Sequence, residues 1–158
     1  MSAGILLMLA WACQPAGPKN VVLLEGPEIE LMMKNIKSYE QGDWAAYRAA
    51  YLDTAKSHHN AMTFTVDSLV AFQQEMREEW DKIEHDVYAM EYLKFETGDE
   101  WGHFWGKWKG TLAGSGKVIE IPVHAAWHMI GGKIAEEHLY FDPTPAMAAV
   151  QETMESVN

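Results

Sequence analysis

The sequence predicts an α+β domain in which three amino-terminal helices pack on one face of a curved antiparallel sheet. Three observations carry this expectation. Apolar residues recur at three- and four-residue intervals between Pro27 and Trp80, the period changes to two from Ile83 onward, and glycine-rich turn signals divide that second half into strand-length runs. A length of 158 residues suits one domain and leaves no room for a second sizeable core.

The elements follow in chain order. Ile29, Met32, Met33, Ile36 and Tyr39 form the stripe of a first helix, with Pro27 in its first turn and Gly42 as terminator. Asp43 can cap a second helix, Trp44 to Leu52, on which Trp44, Tyr47 and Tyr51 share one face. A short extended segment, Ala55 to Asn60, precedes a third helix from Asp67 to Trp80, striped by Leu69, Phe72, Met76 and Trp80. Turns at Gly98-Asp99, Gly114-Ser115-Gly116 and Gly131-Gly132 then separate strands at 83–95, 100–112, 117–130 and 133–142. On the third of these, Ile119, Ile121, Val123, Ala125, Trp127 and Met129 point to the core, and Glu120, Pro122, His124, Ala126 and His128 point away. Pro122 lacks a ladder donor and therefore marks an edge or a bulge, and a bulge would exchange the faces beyond it.

Composition narrows the partners. Twelve Lys+Arg against 23 Asp+Glu give a formal charge of −11, which repels phosphate backbones and argues against nucleic acid. The run Gly4 to Ala12 is apolar but far shorter than the roughly 20 residues of a membrane span. It ends in a small residue before Cys13, the only cysteine, and QPAGPKN follows. This junction resembles a bacterial lipoprotein signal, which implies cleavage before Cys13 and lipidation of its thiol. The expected organisation is a signal peptide at 1–12, a lipidated cysteine and flexible tether at 13–26, and the domain at 27–158. The expected location is the bacterial cell envelope, with the domain held to the membrane through lipid on Cys13, or else exported.

The order of motifs in the domain carries a second resemblance. A Gly-Asp-Trp opens the second helix, a short His-containing strand follows, Gly98-Asp99 and Gly110-Thr111 bracket a strand, and Gly131-Gly132-Lys133-Ile134 leads to Tyr140-Phe141-Asp142. Over residues 28–150 this resembles the SnoaL-like branch of the nuclear transport factor 2-like superfamily. The resemblance implies a cone-shaped curved sheet closed by the three helices around an apolar pocket. It also implies a small apolar ligand, no cofactor, and homodimerisation through the outer face of the sheet. Members include cofactor-free polyketide cyclases, ketosteroid isomerases, dehydratases and epoxide hydrolases, beside others that only bind ligands or dimerise, so activity has to be argued from the site.

The resemblance places the acid–base carboxylate of the cyclases at Asp142. On a regular strand His138, Tyr140 and Asp142 alternate to one side and would line one wall with an imidazole, a phenol and a carboxylate. Asp142 also precedes Pro143, where an aspartate commonly caps a turn, and that alternative stands beside the catalytic one. Of His58 and His59 only one can enter the pocket, and His59 falls about where ketosteroid isomerases keep their general base; their oxyanion-binding aspartate aligns with Ala125. His58, Tyr140, Trp105, Trp127 and Tyr51 are the expected ligand contacts, with a stacking wall or a dimer surface as the two uses of Trp101 and Trp105. No metal site is expected: the sequence has neither His-x-His nor His-Glu-x-x-His, and His124 and His128 lie roughly 13 Å apart on a strand. The expectation for function is a small-molecule-binding domain with cofactor-free acid–base catalysis of isomerase, cyclase, dehydratase or hydrolase type. The alternative is a non-catalytic dimerising or ligand-binding module.

Overall fold

The computed structural model describes residues 20–156. Strand β1 is Val21–Leu23, followed by helices α1 (Pro27–Gln41) and α2 (Trp44–Ala49). Strands β2 (Tyr51–His59) and β3 (Met62–Thr65) precede α3 (Val66–Arg77). The long strands β4 (Trp80–Lys94), β5 (Glu100–Leu112), β6 (Val118–Ile130) and β7 (Lys133–Phe141) lead to α4 (Thr144–Ser156). The seven strands form one sheet in the order β1-β4-β5-β6-β7-β2-β3. The α+β class, the curved sheet and the three helices of the first half match the sequence expectation, and the four long strands lie within three residues of it.

Local chemistry sets the boundaries. Gly42 ends α1 at a φ of 70°, a left-handed conformation that glycine adopts without a Cβ clash. One residue later the Asp43 carboxylate accepts the Ala46 N–H at 3.0 Å and starts α2. That helix stops at Ala49 rather than Leu52, because the Ala50 carbonyl accepts the Ile134 N–H at 2.8 Å and the chain is drawn into the sheet. Tyr51 therefore opens β2. Thr65 caps α3 by accepting the Ser68 N–H.

Four features add to the expected architecture. Val21–Leu23 pairs with Tyr92 to Lys94 of β4, so the sheet includes residues that the sequence reading left in a tether. β2 runs parallel to β7, making the sheet mixed, and β3 folds back on β2. Helix α4 lays Ala146, Ala149 and Val150 on Trp80, Ile83, Leu112, Ile119 and Ile121 at one end of the sheet. No helix among the described residues is long and apolar enough to cross a membrane. Residues 1–12 and Cys13 lie outside the described residues.

The inner face of β6 carries the six residues expected there, all buried. Pro122 is an edge position: β7 pairs only with Val123 to Ile130, so the missing N–H has no partner to lose. The bulge lies instead in β7. Met129 pairs with Ile134 and His128 with Glu136, which leaves Ala135 as an extra residue. Ile134 points inward before it, and Glu137, Leu139 and Phe141 point inward after it. The wall of His138, Tyr140 and Asp142 expected from regular alternation does not form, because one unpaired residue turns it to the other side.

The pairing of β4 with β5 requires close backbone approach at Gly106. That residue sits opposite Val87, beside the bulge between Val87 and Ala89, and a Cβ there would collide with the Asp86 carbonyl and the Phe104 ring. Gly106→Ala should therefore lower the unfolding free energy by about 1–3 kcal/mol, as overpacking does, measured by urea titration. A variant as stable as the parent would show that the β4 bulge gives way without cost.

Candidate active site

The inner face of the sheet and helices α1, α3 and α4 enclose a cavity of about 670 Å³. Its walls are mainly apolar, with Ile36, Phe72, Phe104, Trp108, Ile121 and Val123 among them. Four exposed methionines, Met62, Met76, Met147 and Met154, line its mouth. Such a lining suits an apolar ligand, and thioether side chains adapt to its shape.

The polar chemistry gathers at Glu137, which β7 carries inward just past Ala135 and which is only 4% exposed. Tyr51 Oη donates to its Oε1 at 3.0 Å and Trp127 Nε1 to the same oxygen at 2.8 Å. Ser57 Oγ donates to Oε2, and His59 Nε2 approaches Oε2 at 3.4 Å. The geometry follows from register: Ser57 pairs with Glu137, His59 with Leu139, and Trp127 lies across from Glu137 on β6. Burial by itself would push the Glu137 carboxyl up. Its hydrogen bond and electrostatic attraction to His59, with the bonds from Ser57 and Trp127, outweigh burial and hold it below the ordinary carboxylate value. With four groups directed at it, Glu137 is an ionised acceptor and a poor proton carrier.

Tyr47 extends the network. Its hydroxyl lies 3.0 Å from Tyr51 Oη. Tyr51 has one proton and Glu137 cannot donate, so Tyr51 gives its proton to the carboxylate and Tyr47 donates to Tyr51. Burial first, and the Glu137 charge second, push both phenols well above their usual range, so they stay protonated donors.

A second imidazole–carboxylate pair faces the same cavity. His85 of β4 lines it, with its ring 5.8 Å from both Tyr39 and Phe104. Glu40, at the end of α1, accepts the His85 backbone N–H at 2.8 Å and meets Nδ1 at 3.2 Å. Burial raises the Glu40 carboxyl, but His85 and Lys37 together bring it down to about 2. Each carboxylate thereby assigns a tautomer. His59 holds its proton on Nε2 and exposes the Nδ1 lone pair, whereas His85 holds its proton on Nδ1 and exposes Nε2. Asn35, also on the cavity wall, is 5% exposed and its Oδ1 has no hydrogen-bond partner, which leaves an acceptor for a ligand O–H or N–H.

The structure sorts the residues named from sequence. His59 and Trp127 line the cavity, and Tyr51 lies behind Glu137 as its donor. His58 does not enter: it points to the outer face, as adjacency to an inward His59 requires. His138 and Tyr140 are on that outer face too, His138 stacked on His58 at 4.8 Å and Tyr140 on His124 at 6.2 Å. Trp105 stacks on His124 at 3.7 Å and is 48% exposed, so it is no cavity contact. Asp142 is exposed and its Oδ1 accepts the Thr144 N–H at 3.0 Å, the turn-capping alternative; the bonds from Thr144 hold its carboxyl below the usual range. Glu137, His85, Glu40 and Asn35 are the site residues that sequence reasoning missed. Glu137 was within reach of it, because the possibility of a face-exchanging bulge had been drawn, but for β6 rather than β7.

No protein-family model and no curated protein matches the chain. Solved structures do. An NTF2-like protein of unknown function from Burkholderia pseudomallei matches with a TM-score of 0.65 at 13% identity, covering 80% of this chain and 98% of that one. A protein from Catenulispora acidiphila with a ketosteroid isomerase-like fold, in complex with trimethylamine, matches at 0.63 and 11%, covering 75% and 90%. A protein from Jannaschia described as a SnoaL-like polyketide cyclase matches at 0.61 and 15%, covering 78% and 90%. At these identities the likeness establishes the fold, which is the NTF2-like, SnoaL-like one expected from the motif order.

The depressed carboxyls of Glu40 and Glu137 make stability depend on acid. Their unfolded forms protonate near 4.5, so the stabilisation they supply is complete above that value and is lost as pH falls, for Glu40 toward about 2. Acid unfolding followed by circular dichroism should be steep across this window, and Glu40→Gln should both reduce stability at pH 7 and flatten that slope. Glu137→Ala leaves four donors without their acceptor and should cost about 3–5 kcal/mol. An unchanged acid midpoint and unchanged stability in these variants would contradict the assigned pairing.

Proposed function

We propose that the chain binds a small, largely apolar molecule in this cavity and moves a proton on it without a cofactor. His59 Nδ1 takes a proton from a carbon next to a carbonyl or similar activating group, and the His59 imidazole returns it to another atom of the same ligand. Glu137 is a positioning residue that fixes the His59 tautomer and offsets the imidazolium charge formed when the proton is taken. His85, steadied by Glu40 through Nδ1, presents its Nε2 lone pair to a ligand hydroxyl, and Asn35 orients the ligand through its free acceptor. The observation that carries this reading is that both cavity imidazoles have one nitrogen tied to a buried carboxylate. The fold neighbours support small-molecule binding: one is described with trimethylamine and another as a polyketide cyclase.

The test uses whatever small molecule co-purifies with the native chain, identified by mass spectrometry. In deuterated water the protein should catalyse incorporation of deuterium into that molecule, and His59→Ala should slow incorporation by about 10²–10⁴-fold, the usual contribution of a general base. Glu137→Gln should slow it as well and shift its pH profile. Tight binding with no incorporation by the parent protein would overturn the catalytic reading in favour of a ligand-binding module.

We also propose that the domain is exported and anchored through lipid on Cys13, on the strength of the apolar run ending at Ala12-Cys13. Metabolic labelling with a tagged fatty acid should mark the parent chain and leave Cys13→Ala unlabelled. Label that persists in Cys13→Ala would refute this.

A further inference from the structure

The outer face of the sheet gathers histidines that the cavity chemistry does not use. Pairing of β2 with β7 sets His58 beside His138, and Glu136 lies two residues before His138 on the same face. His58 Nε2 is 3.2 Å and His138 Nε2 is 3.1 Å from the same oxygen, Glu136 Oε1. One ligand atom from each of the three residues lies within 4.8 Å of the other two. We propose that His58, Glu136 and His138 form a site for a divalent transition metal of the zinc type, separate from the cavity.

The geometry suits such an ion. Tetrahedral ligands at bond lengths of about 2.0–2.1 Å stand about 3.3 Å apart, close to both nitrogen–oxygen separations. Two imidazoles and one carboxylate are borderline donors that favour zinc and its neighbours over calcium or magnesium. His58 also has the partner that metal-binding histidines usually have: its Nδ1 lies 3.0 Å from Thr63 Oγ1, delivered by the pairing of His58 with Thr63. When Nδ1 donates to that hydroxyl, Nε2 presents a lone pair to a carboxylate oxygen that also presents one. In that tautomer the two lone pairs, 3.2 Å apart, face a common point at which a cation would sit.

The rings are held in place. His138 stacks on His58 at an interplanar angle of 17° and on Trp101 at 28°, and Trp101 stacks in turn on His128. The side chains of His58 and His138 are 29% and 30% exposed, so an ion held there keeps a fourth position open to water or an external ligand. A divalent cation also relieves the chain's formal charge of −11.

The experiment uses the untagged full chain, stripped with a chelator and desalted. Calorimetric titration with zinc chloride should give one equivalent, and cobalt(II) should give the visible absorption of a tetrahedral site. His58→Ala, His138→Ala and Glu136→Gln should each weaken zinc binding by at least about tenfold, and Thr63→Val by about tenfold through loss of the ring's anchor. Cys13→Ser should leave it unchanged. Circular dichroism confirms folding, and if a ligand variant fails to fold, Thr63→Val and the parent's cobalt spectrum decide. Absence of stoichiometric binding, an octahedral cobalt spectrum, or folded His58→Ala and His138→Ala variants that bind zinc as the parent does would each overturn the proposal.

Discussion

β7 has one residue more than β6 can pair, and the placement of that residue decides which chemistry faces which way. With Ile134 paired to Met129 and Glu136 to His128, Ala135 is left over. Side chains alternate along a strand, so a single extra residue reverses the facing of everything beyond it. Past Ala135 the cavity receives Glu137, Leu139 and Phe141, and the outer face receives Glu136, His138 and Tyr140. The neighbouring strand adjusts at the same point: β2 passes from its Tyr51–Ile134 pair directly to Lys56–Glu136. Ser57 and His59 thereby meet Glu137, and His58 meets His138.

A carboxylate so deeply buried is costly unless its acceptors are filled, and the surrounding residues meet that requirement in an ordered way. Two donors serve each oxygen: Tyr51 and Trp127 on one, Ser57 and His59 on the other. Three of them offer a single donor group each, whereas the fourth, His59, carries a second ring nitrogen that the carboxylate does not touch. The anion thus holds the imidazole through Nε2. The Glu40–His85 pair repeats this logic from the helical side, with the opposite ring nitrogen held. Besides these two imidazoles, the mainly apolar cavity holds the buried Asn35, whose Oδ1 acceptor has no partner.

Much of this architecture could be read from residue periodicity because the strands between Trp80 and Phe141 are long and joined by glycine turns. The inward set on β6 from Ile119 to Met129 follows simple alternation with no interruption until its last pair. The entry of His59 rather than His58 was one of two choices that alternation allowed. The position of Glu137 was hidden, since nothing in Ile134-Ala135-Glu136 marks a bulge: no glycine or proline stands there, and the extra residue is forced by how β2 and β6 both pair with β7. His85 was hidden for a related reason, as β4 contains register shifts near Trp80 and Val87 that break a count of two. Helix α4 lacked a strong signal, being alanine-rich and partly exposed, and is held by Ala149 against the second core cluster.

The same two strands therefore present two carboxylate–histidine groups back to back, and burial separates their uses. Glu137 is 4% exposed and both its oxygens are occupied by donors of the cavity floor. Glu136 has a side chain 41% exposed and meets two imidazoles through a single oxygen, an arrangement that a cation can reach from solvent. Identical residue types, one position apart on β7, are in this way a fixed electrostatic support on one face and an exchangeable ligand set on the other. Because the two faces are separated by the thickness of the sheet and share no side chain, a change in the outer group can reach His59 only through the backbone of β2 and β7. The register of those two strands is therefore what positions both groups.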